Sequence, residues 1–155
     1  MVDSGRAGRR CFAQDGVAPA GLVRRLGGLV YDTFLILALL IVLGFVGVAV
    51  NDGEANQSPL FRSLLLVAMF AFFAYCWSRS GTTLGMQAWR LRIQTPEGCA
   101  PTLTQCLIRF LVAGLSLGCC GLGYAWQLLD HEQRSWQDIA SETRIVVVPV
   151  RDKRT

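Results

Sequence analysis

"GLVRRLGGLVYDTFLILALL", residues 21–40, is the stretch whose reading decides the fold. Arg24, Arg25 and Asp32 stand at the mouth of an apolar run that continues without a charge from Thr33 to Val50. Two further runs follow. Leu60 to Trp77 carries only Arg62, near its start, and Phe110 to Leu129 carries no charge. Each run is about 18 to 20 residues, the length at which a helix rising 1.5 Å per residue crosses a hydrocarbon core of ~30 Å. The hydrophobic fraction of 52% and mean hydropathy of +0.40 agree with this. The expected fold class is therefore an all-α membrane protein, a small bundle of three to four transmembrane or re-entrant helices. The first run is longer than a signal-peptide core, and Val50-Asn51-Asp52-Gly53 lacks a clear small-x-small cleavage site, so it reads as a retained span.

Charge placement suggests how the spans are oriented. Arg6, Arg9, Arg10, Arg24 and Arg25 precede the first run, and Arg79, Arg90, Arg92 and Arg109 follow the second. The loop Asn51 to Pro59 has no Lys or Arg but contains Asp52 and Glu54. The positive-inside rule puts the N-terminus and the 79–109 segment in the cytoplasm and the acidic loop on the other side. Arg62 runs mildly against this. One straight crossing by the third run would put the C-terminus outside, whereas Arg134, Arg144, Arg151, Lys153 and Arg154 argue for inside. Gly118-Cys119-Cys120-Gly121-Leu122-Gly123 interrupts the run, and glycine weakens a helix by ~1 kcal/mol per residue relative to alanine. A broken or re-entrant hairpin, or a helix beginning near Thr102 with a short element after the glycines, brings the tail back inside. The in-facing arrangement is favoured.

The segments between the runs carry their own signals. Gly81-Thr82-Thr83-Leu84-Gly85-Met86 reads as a turn into a short interfacial helix ending near Trp89. Leu91-Arg92-Ile93-Gln94 alternates in the manner of a strand, and Thr143 to Val148 is a β-branched run. A minor cytoplasmic strand pair, Leu91 to Thr95 against Thr143 to Val148, is expected. Ser135 with Asp138 three residues on approximates a capping box. The organisation is then a flexible basic tail over 1–19, a membrane domain over 20–148 and a basic tail over 149–155.

The six cysteines form no C-x-x-C pair and His131 is the single histidine, so no metal site and no disulfide is implied. No cofactor is expected. Absence of H-E-x-x-H, G-x-S-x-G and a phosphate-binding glycine loop argues against an enzyme.

Arg25 and Asp32 are seven residues apart on one helix face, about 10.5 Å along the axis, too far to pair directly. An aspartate within a span costs on the order of 3 kcal/mol, so each charge needs a partner from another segment, or water. Arg109 is the natural candidate for Asp32, with Asp130 and Asp138 near the same level. Arg25, Asp32, Arg109 and Asp138 are the candidate ligand- or ion-binding residues. The alternative is a purely structural role, in which the arginines anchor topology and Asp138 caps a helix.

These residues resemble the RDD family of small bacterial membrane proteins, named for one Arg and two Asp. "RRLGGLVYD" resembles the family's opening pattern and puts its Arg on Arg25 and its first Asp on Asp32. "GTTLGMQAWRLRIQTPEG" resembles its central glycine-threonine-leucine-glycine segment, and "RSWQDIASETRIVVV" its terminal element, with the second Asp on Asp138. Gln137 stands where the family usually has His, and Glu142 where Gly is common, so a His–Asp proton relay is weakened. The resemblance covers roughly Ala20 to Val148 and implies a multi-pass protein of the bacterial inner membrane. It also implies a role in transport, of the cation/proton exchange type for some members. A non-transport assembly, scaffold or regulatory subunit is the alternative. The expected partners are the lipid bilayer and, for so small a chain, a homo-oligomer or a membrane partner. Nucleic acid is not among them.

Overall fold

The computed structural model describes residues 9–149; the outer parts of both basic tails, 1–8 and 150–155, lie outside the described residues. Helix α1 (Leu22–Val50) has 29 residues, about 43 Å of helix, more than a bilayer core needs. Helix α2 (Pro59–Ser80) starts where Ser58 accepts a hydrogen bond from the Phe61 N–H and Pro59 fits the first turn. It ends at Gly81, whose φ of 70° is the left-handed conformation that closes a helix. Both helices are long and apolar enough to cross a membrane. Their outward faces are uncovered: Phe34 and Phe45 are 68% and 71% exposed, and Leu60 and Leu64 are exposed too. A water-soluble surface seldom carries so much contiguous apolar area.

The third run is not one helix. Helix α4 (Leu103–Gly118) begins with a complete capping box between Thr102 and Gln105 and stops at the glycines. The chain turns through Cys120 and Gly121, both at positive φ, into α5 (Leu122–Ala125) and a 3-10 turn, Trp126–Leu128. The second limb leaves the first at 106°. Gly123 is the point of return. A Cβ there would lie 2.4 Å from Ser116 Oγ and 3.0 Å from the Trp136 ring, so the limb folds back against α4 only because the side chain is missing.

The remaining elements gather at one end of the helices. These are α3 (Leu84–Ala88), β2 (Leu91–Gln94), α6 (Trp136–Ala140) and β3 (Arg144–Val147). The expected strand pair is present and antiparallel, with Leu91 opposite Val147 and Gln94 opposite Arg144. A third, two-residue strand, β1 (Ala18–Pro19), lies on the far side of β3 and gives the order β1-β3-β2. Proline is tolerated there because β1 is an edge strand.

This small sheet fixes the path of the whole chain. One strand precedes α1, one follows α2, and one follows the α4–α6 segment. All three therefore lie on one side, and each intervening segment must leave and come back. The pair α1–α2 does so as a hairpin and 103–143 does so as a unit bent sharply at the glycines.

The cysteine reading needs correction. Cys11 and Cys99 form a disulfide across 88 residues of sequence. The N-terminal segment runs antiparallel to the stretch after β2, with Phe12 N–H on Gly98 O and Ala100 N–H on Arg10 O, which brings the two sulfurs together. No local spacing announces such a pair. Cys76, Cys106, Cys119 and Cys120 are free. Alkylation in denaturant without reductant is therefore expected to label four thiols, and six after reduction, read as an intact-mass difference. Six labels before reduction would show the pair open.

Candidate functional site

The site is built at the sheet end of the helices, where the buried polar side chains concentrate. Adjacent arginines part company on α1: Arg24 faces outward, while Arg25 is buried. Arg25 uses every nitrogen. Its Nε donates to Ala20 O at 2.9 Å, its Nη2 to Gln133 O at 2.9 Å, and its Nη1 to Ser135 Oγ and to Asp138 Oδ2. Asp138 receives a second guanidinium on its other oxygen, Arg109 Nη1 at 2.6 Å, and the Ser135 N–H at 3.1 Å. Arg109 Nη1 also donates to Thr143 Oγ1 at 2.8 Å.

One carboxylate thus bridges two arginines and ties the start of α1, the first half of α4, α6 and the approach to β3 into one knot. Burial pushes the Asp138 carboxyl up. The Arg109 and Arg25 guanidiniums and the Ser135 N–H together more than offset this, and its pKa falls below the ordinary carboxylate value. The expected capping role is present as well, since the Ser135 N–H bond is the return half of a capping box.

Asp32 is elsewhere. Its sequence-based partner, Arg109, is committed to Asp138, and the Asp32 carboxylate is held by α3 instead. Thr83 Oγ1–H donates to Oδ2 and the Gly85 N–H donates to Oδ1 at 3.0 Å. The same Thr83 hydroxyl accepts from the Met86 N–H at 3.2 Å and so caps α3. The reason is steric and electrical. Asp32 lies far enough along α1 to meet the amide end of α3, whereas the arginines meet α6. Gly85 makes the approach possible: a Cβ there would lie 2.6 Å from Gly28 O and 2.7 Å from Asp32 Oδ1. The glycine-threonine-leucine-glycine stretch is therefore the docking surface for the first aspartate.

Of the four candidate residues, Arg25, Arg109 and Asp138 come together and Asp32 stands apart. Arg25, Asp32 and Arg109 nonetheless share the wall of one open-sided cavity of about 440 Å³ between α1, α2 and α4. Its remaining lining is almost wholly apolar, including Ile36, Leu66, Phe73 and Leu117. Asp130, named at the same level, makes a surface pair with Arg134. Among the described residues no group of His, Cys, Asp and Glu is arranged to hold a metal ion. Sequence reasoning did not single out Thr83, Gln133 or Thr143 as partners. Only the Gly81–Met86 motif offered a signal, for Thr83 and Gly85.

The fold and the charged knot define a class: a small membrane-type helical protein with apolar helices anchored on a polar, sheet-bearing end. Residues 19–142 match the RDD family, and the chain belongs to it. No curated protein and no solved structure matches the chain.

Proposed function

We propose that this protein is a multi-pass protein of the bacterial inner membrane, with its sheet end in the cytoplasm, that binds an ion or small ligand in the cavity between α1, α2 and α4. The observation that carries the reading is the wall of that cavity. A buried carboxylate, Asp32, and two buried guanidiniums, Arg25 and Arg109, border a space whose other lining, apart from Thr33, Tyr124 and Gln137, is apolar. Pockets of this size with a few convergent polar groups are the usual form of a small-ligand site. The basic residues Arg79, Arg90 and Arg144 at the sheet end support the cytoplasmic orientation; the Cys11–Cys99 disulfide at that end counts against it, because cytoplasmic thiols are ordinarily kept reduced.

In the transport form of the reading, Asp32 is the coupling group. It is the carboxylate on the wall, and Asp138 is locked between two arginines. Cation/proton exchange through Asp32 is testable in liposomes with ion- and proton-flux dyes. Asp32→Asn keeps the size of the side chain and an oxygen for the Gly85 N–H. It is expected to fold, with a loss of about 1 kcal/mol from the altered Thr83 bond, and to abolish flux. Flux equal to wild type would remove Asp32 from the mechanism.

A second reading is favoured by one specific observation. Each of the four charges has an intramolecular partner, as a lock requires. Here the protein is a non-enzymatic assembly or regulatory subunit. Absence of flux for every cation tried, with a folded wild-type protein, selects it.

A further inference from the structure

The Cys11–Cys99 disulfide lies at the end of the molecule whose basic residues point to the cytoplasm. Disulfides are rare in that compartment, and those that form there are usually transient, serving catalysis or redox sensing. The surroundings of the pair fit a transient cross-link. Its two halves are unequally placed: Cys11 is exposed, whereas Cys99 is 3% exposed. Thiol–disulfide exchange needs an attacking thiolate to reach one sulfur while the other leaves. Access is therefore through Cys11, and Cys99 is the leaving group.

The bond holds a strap, residues 9–14, against β2 and the turn after it. The Phe12 N–H donates to Gly98 O at 2.9 Å and the Ala100 N–H to Arg10 O at 2.8 Å. Gln94 Nε2 donates to Gln14 Oε1 at 2.7 Å. The Arg92 guanidinium lies 4.5 Å from the centre of the Phe12 ring, and its Nη2 donates to Ala13 O at 3.2 Å. Yet Arg10, Cys11, Ala13 and Gln14 are themselves exposed. Polar contacts beside water give modest net gains, and the entropy lost in ordering the segment opposes them. A covalent link keeps the segment at the sheet and removes much of that opposition.

We propose that Cys11–Cys99 is a reversible thiol–disulfide latch: oxidation seats the strap over Arg92 and Gln94, and a cytoplasmic dithiol reductant releases it. The latch rests on the cytoplasmic orientation of the reading above and accounts for the disulfide that counts against it. Seated, the strap leaves Arg92 and Gln94 9% and 0% exposed; released, it uncovers both. It runs on through β1 to Ala20, whose carbonyl holds Arg25 Nε, so its seating also bears on the start of α1.

In opening, one thiolate of the dithiol attacks Cys11 Sγ, the S–S bond breaks, and Cys99 leaves as a thiolate that takes up a proton. The reductant's second thiolate attacks its own sulfur in the mixed disulfide and frees Cys11, which is protonated in turn. Two electrons and two protons pass to the protein, and the dithiol ends as a disulfide. Closure hands the same electrons and protons to an oxidising disulfide or, in the test, to the diazene diamide, which becomes a hydrazine.

Bacteria expressing the full chain are acid-quenched before, during and after a pulse of diamide and alkylated in denaturant. The peptides carrying Cys11 and Cys99 are then read by mass. The pair is expected to be mostly reduced in unstressed cells, its oxidised fraction to rise about tenfold in diamide and to fall back after washing. In detergent, trypsin is expected to cut the Arg10–Cys11 bond about tenfold faster in Cys99→Ser than in oxidised wild type, since cleavage follows the population of the open segment. Wild type that has been reduced and freed of reductant should match the variant, which checks that the substitution itself is harmless.

A pair that stays open in diamide overturns the latch, and so does equal cleavage of oxidised and reduced wild type. A pair closed in unstressed cells overturns it too, and two reductants then tell why. Opening in intact cells by the membrane-impermeant tris(carboxyethyl)phosphine puts the pair outside, and the orientation falls with the latch. Opening by membrane-permeant dithiothreitol alone leaves the orientation standing and makes the disulfide a permanent cross-link.

Discussion

Asp138→Asn is expected to prevent recovery of folded protein. The substitution leaves Arg25 and Arg109 buried side by side without a counter-charge, where wild type has one carboxylate between them. Removing one member of a buried ion pair costs about 3–5 kcal/mol, and here two cations are stranded at once. That is a large fraction of the about 5–15 kcal/mol by which a domain is stable. Detergent extraction followed by size-exclusion chromatography should give aggregate. Neutralising all three positions, with Asp138→Leu, Arg25→Met and Arg109→Met together, should return much of the monodisperse peak, since a buried charged set can often be replaced by apolar side chains of similar volume. The recovery will be incomplete, because Ala20 O and Gln133 O lose the donors that Arg25 supplies. A monodisperse Asp138→Asn melting at the wild-type temperature would show that the knot contributes little.

The same carboxylate sets an acid limit. Its folded pKa lies below its unfolded one, so its contribution is fully present above the ordinary value of about 4 and is lost as pH falls toward the depressed folded value. Wild-type stability between pH 5 and pH 8 should owe no pH dependence to Asp138.

Gly85→Ala is expected to be the second most damaging change, although alanine favours helix by ~1 kcal/mol over glycine. The new methyl would lie 2.6 Å from Gly28 O and 2.8 Å from Asp32 N, both backbone atoms of α1 that no rotamer change can move. Helix α3 must lift away, and the hydrogen bonds to Asp32 lengthen with it. Overpacking of this kind costs about 1–3 kcal/mol, and the weakened bonds to a charged acceptor add to it. Gly114→Ala is the control: its Cβ meets open space, and it should stabilise by up to ~1 kcal/mol. Thermal unfolding followed by tryptophan fluorescence separates the two. Equal transitions for both variants would mean that α3 is not seated on α1 as described.

The amino-acid sequence by itself determined the parts of this protein that depend on local rules. Apolar runs Thr33–Val50 and Leu60–Trp77 could be read directly as helices long enough to span, because length and hydropathy are properties of the segment alone. Turn and cap residues behaved likewise: Gly81 closes α2, α4 begins beside Thr102, and Ser135 with Asp138 opens α6. The strand pair was legible from β-branched composition and alternation, and both strands lie within the expected ranges.

Tertiary structure decided everything that needs two distant segments to meet. Which of two adjacent arginines is buried depends on α6 arriving beside Arg25 and not beside Arg24. That Asp32 bonds to Thr83 and Gly85, and not to Arg109, depends on α3 docking closer to it than α4 does. Residues Cys11 and Cys99 meet only because the N-terminal segment lies along the sheet. The run Phe110–Leu129 shows the boundary between the two kinds of information. Its composition permits a straight span, and its glycines permit a break. The break is taken because β3, beyond it, must return to pair with β2 and because Asp138 must reach both arginines. A charge near a membrane is satisfied by whichever polar group the fold brings within hydrogen-bond reach, and sequence spacing carries that distance only within a single helix.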